Sequence, residues 1–94
     1  MFILNLTYIK SINEVEKYLS SHISFLDKYY TNEKFICSGR KNPRTGGIIL
    51  CNAENINEVN NILSEDPFFK EKIANYEIIE FHPTKYAANF KSFV

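Results

Sequence analysis

The sequence lacks three features that mark specialised classes of protein: an excess of charge of one sign, a long apolar run and a cysteine motif. Lysine plus arginine and aspartate plus glutamate both number 11, so the formal net charge is zero. Without a basic excess to neutralise phosphates, the chain is not expected to bind nucleic acid. No run of about 18 apolar residues is present, and the first residues resemble a strand rather than a signal peptide. We therefore expect no membrane association and a cytoplasmic location.

Cysteine and glycine are both scarce. Cys37 and Cys51 are isolated from each other and form neither a C-x-x-C pair nor a metal-type spacing, so free cytosolic thiols are expected. Gly39, Gly46 and Gly47 are the only glycines, and they match neither a Walker loop nor a dinucleotide-binding turn. The sequence therefore predicts no cofactor and no metal.

Apolar residues, by contrast, are plentiful. They make up 45% of the chain, and aromatic residues alone make up 15%. A chain of 94 residues with this composition is expected to form a single domain over residues 1–94 with a packed core. A monomer of this size leaves much apolar surface in contact with water, so self-association is expected.

The chain is organised around a predicted helix over residues 11–30. Ser11, followed three residues later by Glu14, resembles a capping box that opens it. Five residues spaced four, three, four and three apart form one helical stripe; they are Val15, Leu19, His22, Leu26 and Tyr29. His22 is the only strongly polar member. It is therefore either a core residue with a buried partner or a residue that faces a pocket.

The remaining segments alternate between strand and helix patterns. Runs rich in β-branched and aromatic residues predict four strands, at residues 2–9, 35–38, 48–53 and 76–81. Between the last two strands, an amphipathic helix is predicted over residues 56–63, followed by a short helical turn over 68–75. Turn-forming residues over 39–47 join strands two and three as an antiparallel hairpin, with the second strand ending at Gly39. Tyr86, Phe90 and Phe93 predict a short helical tail.

This β-α-β-β-α-β order, with right-handed crossovers, predicts an α+β ferredoxin-like sandwich. Two helices would cover one face of a four-stranded antiparallel sheet. The other face is expected to pair with a second copy of the sheet, because strand three is too apolar to face water. We therefore expect a homodimer formed through the sheet faces.

Asp66 is the expected partner of His22. Asp27 lies about 140° around the helix from His22 and is excluded by that angle, whereas Asp66 opens the short helix beside it. An aspartate before Pro67 is also typical of a plain helix cap, and both roles are compatible. An imidazole oriented by a carboxylate can act as a general base or acid.

The loop after strand two carries the only two arginines, Arg40 and Arg44. An arginine fork suits a carboxylate or enolate oxygen, and Gly39 allows a ligand to approach the backbone closely. The alternative for Arg40 is a solvated hairpin tip. His82, at the end of strand four, is expected at the surface and is not spaced with His22 as a metal pair.

Taken together, five segments resemble the YciI-like family. The match includes His22-x-x-Phe25-Leu26-Asp27, Ser38-Gly39, the Pro43–Leu50 run, Asp66-Pro67-Phe68 and the Tyr76–Phe81 run, in order along the chain. The resemblance implies small bacterial proteins with the ferredoxin-like fold, whose sheets pair in a dimeric α+β barrel.

The same resemblance implies a pocket between sheet and helices. Its histidine–aspartate pair would be His22 and Asp66, and Ser38, Gly39 and Arg44 would line the pocket. One member of the family eliminates chloride from a chlorinated hydroxyhydroquinone, and the wider superfamily includes muconolactone isomerases and cofactor-free monooxygenases. A cofactor-free oxygenase is the weakest hypothesis, because no residue singles it out, and two stronger hypotheses stay open. One is a lyase or isomerase acting by proton transfer on a cyclic or phenolic substrate, and the other is a non-catalytic dimeric module that binds a small metabolite.

Overall fold

Strand β1, Phe2–Tyr8, lies at the centre of the sheet in the computed structural model, which describes all residues from Met1 to Val94. The side chains of Phe2, Leu4 and Leu6 are almost fully buried, while the residues between them are less so. This alternation follows from the two-residue period of a strand that covers a core with one face only.

The other elements follow in chain order. They are α1 (Ile12–Lys17), α2 (Leu19–Thr31), β2 (Phe35–Arg40), β3 (Gly46–Cys51), α3 (Ile56–Leu63), α4 (Pro67–Lys70), β4 (Ala74–Glu80) and a C-terminal 3-10 helix (Ala88–Phe93). All strand pairs are antiparallel, and the sheet order is β2-β3-β1-β4. The predicted α+β ferredoxin-like fold is thereby confirmed. None of the helices has both the length and the apolar composition of a membrane span.

The predicted single helix over residues 11–30 is in fact two helices. At Tyr18 the backbone tightens, and its amide donates to the carbonyl of Val15, three residues back, as in a 3-10 turn. The apolar stripe nevertheless continues across this break. Val15, His22 and Tyr29 are buried, and Leu19 and Leu26 pack partly buried against the same core.

Two residues other than glycine have left-handed backbone conformations, Glu33 just after α2 and Lys72 just after α4. Lys72 has φ 53°, and the amide of Ile73 beyond it donates to the carbonyl of Phe68 at 2.9 Å. This Schellman arrangement ends α4 at Lys70 and lets β4 begin at Ala74. The predicted helical turn over 68–75 was therefore too long, and the predicted start of strand four at 76 too late.

The hairpin strands also extend further towards each other than predicted. Gly39 does not end β2, because it pairs with Ile48 within the ladder and the strand continues to Arg40. Strand β3 begins at Gly46, which lies against β1. A Cβ atom there would come 1.8 Å from the carbonyl oxygen of Leu6, so only glycine fits this approach.

One face of the sheet is not covered by helices. Ile3 pairs directly with Leu50 on one side and Ile79 on the other, and directly opposed residues share a face. Ile48, two residues before Leu50, lies on the same face. Ile48 and Ile79 are exposed.

Candidate functional site

His22 and Asp66 lie in hydrogen-bond contact, although 44 positions separate them in the sequence. The imidazole Nδ1 is 2.8 Å from Asp66 Oδ1, and both side chains are buried. Asp66 is at the same time the N-cap of α4, because the same Oδ1 accepts the backbone N–H of Phe68 at 2.9 Å. The cap and the histidine contact are therefore combined in one carboxylate oxygen.

This contact determines which nitrogen of His22 is available. An ionised carboxylate only accepts hydrogen bonds, so Nδ1 carries the proton and the neutral ring presents a lone pair at Nε2. Nε2 has no hydrogen-bond partner in the protein, and this atom is accessible to solvent. The imidazole therefore offers one free basic atom.

Phe68 covers one face of the imidazole. The two rings are stacked, with centroids 4.0 Å apart and planes 6° apart, and Phe68 is almost fully buried. Phe25 approaches His22 from its own helix, at a centroid distance of 6.0 Å. The ring is thus restrained by packing as well as by the bond to Asp66.

His22 faces a cavity between α2, α4 and the β2–β3 hairpin. Its volume is about 200 Å³, compared with about 150 Å³ for an engineered cavity that binds benzene. A single substituted ring would therefore fit. Fifteen residues line the cavity, and none of them is acidic: Leu6, Tyr8, Leu19, His22, Ile23, Leu26, Ser38, Gly39, Arg40, Arg44, Gly46, Gly47, Ile48, Ile49 and Phe68.

Both arginines contribute to the cavity wall. Arg44 is partly buried, and its Nη1 lies 3.6 Å from Glu16 Oε1 on α1. Its segment is attached to the sheet, because the amide of Tyr8 donates to the carbonyl of Thr45 at 2.9 Å. Arg40 is exposed at the end of β2 and takes part in no ion pair.

Ser38 and Gly39 enter the cavity from β2. The hydroxyl of Ser38 is 2.5 Å from that of Tyr30 on α2, which links the strand to the helix. A Cβ atom at Gly39 would meet nothing within 4 Å, so packing in this chain does not require glycine there.

The structure thus brings four of the predicted site residues to one cavity, with Asp66 directly behind His22. Asp27 is exposed and contributes no side chain to it, as the helical angle predicted. His82, which follows β4, is exposed and also lies outside the cavity. No group of three or more His, Cys, Asp or Glu side chains is arranged to hold a metal ion.

A second contact attaches α2 to the segment that carries Asp66. Tyr29, two turns after His22, donates its hydroxyl to Glu65 Oε2, and Lys28 donates to Oε1 at 2.5 Å. Burial, together with the hydrogen bond to Glu65, raises the pKa of Tyr29 to about 12. The Lys28 ammonium and the Tyr29 hydroxyl lower the pKa of Glu65.

Three residues around the site were not identified from sequence. Phe68 was named only within a segment that resembles the family; it is buried, and its stacking on His22 depends on a contact between distant segments. Tyr30 on α2 contacts Ser38 on β2, and Glu16 on α1 approaches Arg44 in the loop between β2 and β3. Only Phe68 had a local signal, since it follows Asp66 and Pro67 directly.

The chain as a whole resembles known proteins. A family model described as the YCII-related domain matches residues 1–82. The chain is also similar to the solved structure of 5-chloro-2-hydroxyhydroquinone dehydrochlorinase from Burkholderia phenoliruptrix AC1100, in complex with 2,5-dihydroxybenzoquinone. The TM-score is 0.72 and the identity 18%, over 87% of this chain and 94% of that chain, which shows a shared fold. A search of curated proteins found no match.

Proposed function

Because the chain belongs to the family of YCII-related domains, we propose that it is a small-molecule enzyme of the lyase or isomerase type. In this proposal His22 transfers a proton on a cyclic or phenolic substrate, and Asp66 orients the imidazole. One observation carries the proposal. His22 is bonded through Nδ1 to a buried carboxylate, while Nε2 stays unbonded beside a largely apolar cavity of about 200 Å³.

The proposed chemistry uses His22 at the cavity wall and Asp66 directly behind it. In an elimination, Nε2 accepts a proton from the substrate, and the electron pair of the bond that held this proton forms the new double bond. The leaving group then departs as an anion with its own bonding pair. In an isomerisation, the proton on Nε2 returns to a different atom of the same substrate. In both, the Asp66 carboxylate stabilises the imidazolium that forms.

Negative charge that develops on a substrate oxygen is stabilised by the positive side of the cavity. Ser38, Gly39 and Arg44 form the proposed substrate-binding wall, with a hydroxyl, an open stretch of backbone and a guanidinium. Donors that are already in place stabilise such charge without reorganisation at the moment of reaction. The similarity in fold to a dehydrochlorinase supports elimination as the first reaction class to test.

We further propose that the chain acts as a single domain and as a homodimer through the uncovered sheet face. Exposed Ile48 and Ile79 on that face support the dimer. A hydrogen bond from Asn52 Nδ2 to the carbonyl of Phe93, at 2.8 Å, attaches the C-terminal tail to the rest of the chain and supports the single domain.

We also propose a cytoplasmic location, because both cysteines are free thiols.

The test uses the two histidines of the chain. Purified protein is screened against small phenolic and cyclic acids, including 5-chloro-2-hydroxyhydroquinone, by chloride release and ultraviolet absorbance. For any compound that is turned over, we expect His22→Gln to lower kcat by about a hundredfold or more. His82→Gln, the matched control outside the cavity, should retain full activity. Turnover that persists in His22→Gln would contradict the proposal, and saturable binding without turnover would favour the metabolite-binding module.

A further inference from the structure

Arg44 is a partly buried arginine that makes no hydrogen bond. Its Nε is closed off from solvent and has no acceptor. Its one charged neighbour is Glu16, whose Oε1 lies 3.6 Å from Nη1, beyond hydrogen-bond distance. An arginine side chain carries five N–H donors, and buried donors are normally paired. The Arg44 guanidinium therefore lacks an acceptor at the cavity wall.

The protein itself supplies no better acceptor. No acidic residue lines the cavity. The Asp66 carboxylate is bonded to His22 and to the backbone of Phe68, and its second oxygen is buried. Arg40 adds a second positive charge to the same wall without an ion pair of its own. The cavity thus combines a largely apolar interior with two positive charges on one side, of which only Arg44 has a carboxylate nearby.

We propose that Arg44 binds the carboxylate of a ring compound, and that Glu16 is the counter-ion which this carboxylate displaces. The inference rests on the proposed function of the same cavity and specifies its substrate class. The planar guanidinium presents parallel N–H groups that match the two oxygens of a carboxylate. A carboxylate on Arg44 leaves the ring within the cavity that His22 also lines.

Glu16 is suited to be displaced. Its side chain is 56% exposed, so it can turn into water at little cost, whereas the Arg44 side chain is 28% exposed and remains at the wall. Exposed ion pairs of this kind contribute little free energy. A ligand carboxylate that forms two hydrogen bonds therefore outcompetes a glutamate at 3.6 Å that forms none.

The experiment compares benzoate with benzamide, a neutral compound of nearly the same shape, by calorimetric titration. In the unchanged protein we expect benzoate to bind about tenfold more tightly than benzamide, since hydrogen bonds between charged groups are the stronger ones. Arg44→Met, which keeps most of the aliphatic stem, should abolish this preference, and Arg44→Lys should retain only part of it. Thermal unfolding checks that both variants are folded.

Glu16→Gln provides the sharper test, because this side chain is largely exposed and the change is therefore expected to leave the fold intact. Removal of the competing charge should tighten benzoate binding about twofold to fivefold and leave benzamide unaffected. Glu14→Gln, on the same helix and paired instead with Lys17, is the matched control and should change neither.

Equal binding of the two compounds, no binding of benzoate at millimolar concentration, or an unchanged benzoate affinity in Glu16→Gln would each overturn the inference. Failure of the proposed function gives a different pattern. In that case the preference for benzoate still depends on Arg44 and Glu16, while His22→Gln has no effect on any turnover.

Discussion

The imidazole of His22 and the ring of Phe68 lie face to face, with their centroids 4.0 Å apart and their planes 6° apart. The backbone of Phe68 also donates to the carboxylate oxygen of Asp66 that contacts His22 Nδ1. A single residue therefore restrains the imidazole directly through its ring and indirectly through Asp66. This arrangement leaves Nε2 as the only unbonded polar atom of the imidazole.

Replacing Phe68 by leucine should separate orientation from chemistry. Leucine keeps an apolar residue in the core but removes the flat surface beside the imidazole, so we expect a loss of about 1–2 kcal/mol in the free energy of unfolding. Any turnover should fall through kcat more than through KM, because the imidazole is less well aligned. Urea unfolding and steady-state kinetics measure the two effects. Unchanged kcat in a folded variant would show that stacking does not orient His22.

Two replacements of Asp66 should separate its role as a helix cap from its role as a negative charge beside His22. Asparagine is also a good N-cap, so Asp66→Asn should fold and lose mainly the charge that stabilises an imidazolium, which lowers kcat by about a hundredfold or more. Asp66→Ala also removes the cap and leaves His22 Nδ1 unpaired, at an expected cost of about 2–4 kcal/mol in stability. The measurements are kinetics for the first variant and chemical unfolding for both. Equal stability of the two variants would contradict the dual role of this carboxylate.

Tyr29 should make stability depend on alkaline pH. Its pKa is raised to about 12 in the folded protein, above the ordinary value of 10.0, because of burial and its bond to Glu65. The folded state thus keeps the phenol proton more tightly than the unfolded state. The resulting stability is fully present below about pH 10 and is lost as pH rises towards about 12.

The variant Tyr29→Phe tests this dependence. It should cost about 1–2 kcal/mol at neutral pH, since the hydroxyl donates to a charged acceptor. The difference in stability between the unchanged protein and the variant should shrink between pH 10 and 12. The buried thiol of Cys51, whose pKa is raised to about 11 by burial, contributes a similar slope in both proteins and cancels in the comparison. A difference that stays constant with pH would exclude the Tyr29 hydroxyl as its source.

The dimer can be tested on the uncovered sheet face. Ile79 is 44% exposed on that face, and Ile56, at the start of α3, is also 44% exposed. A glutamate at position 79 would have to be desolvated in a face-to-face dimer, so Ile79→Glu should produce monomers. The control Ile56→Glu should leave the mass measured by light scattering unchanged. A monomeric unchanged protein would refute this dimer directly.

Local patterns predicted much of the molecule because they depend on neighbouring residues. The stripe of Val15, Leu19, His22, Leu26 and Tyr29 packs on the core as the helical period requires, even though the helix is broken at Tyr18. That break could not be read from the periodicity, since one tightened turn leaves the spacing of the stripe almost intact. Asp66 and Pro67 open α4, as expected from their cap and first-turn preferences.

The sequence by itself thus determined the order of strands and helices, the ferredoxin-like fold and the placement of His22 on an inward-facing stripe. Asp66 was also expected from the sequence as the partner of His22, and the two side chains are in contact. Only the tertiary structure decided which other groups meet around that stripe. The stacking of Phe68 and the 3.6 Å approach of Glu16 to Arg44 both join separate elements. The physical reason is that periodicity and capping act within a few residues, whereas such contacts depend on how whole helices and strands pack in three dimensions.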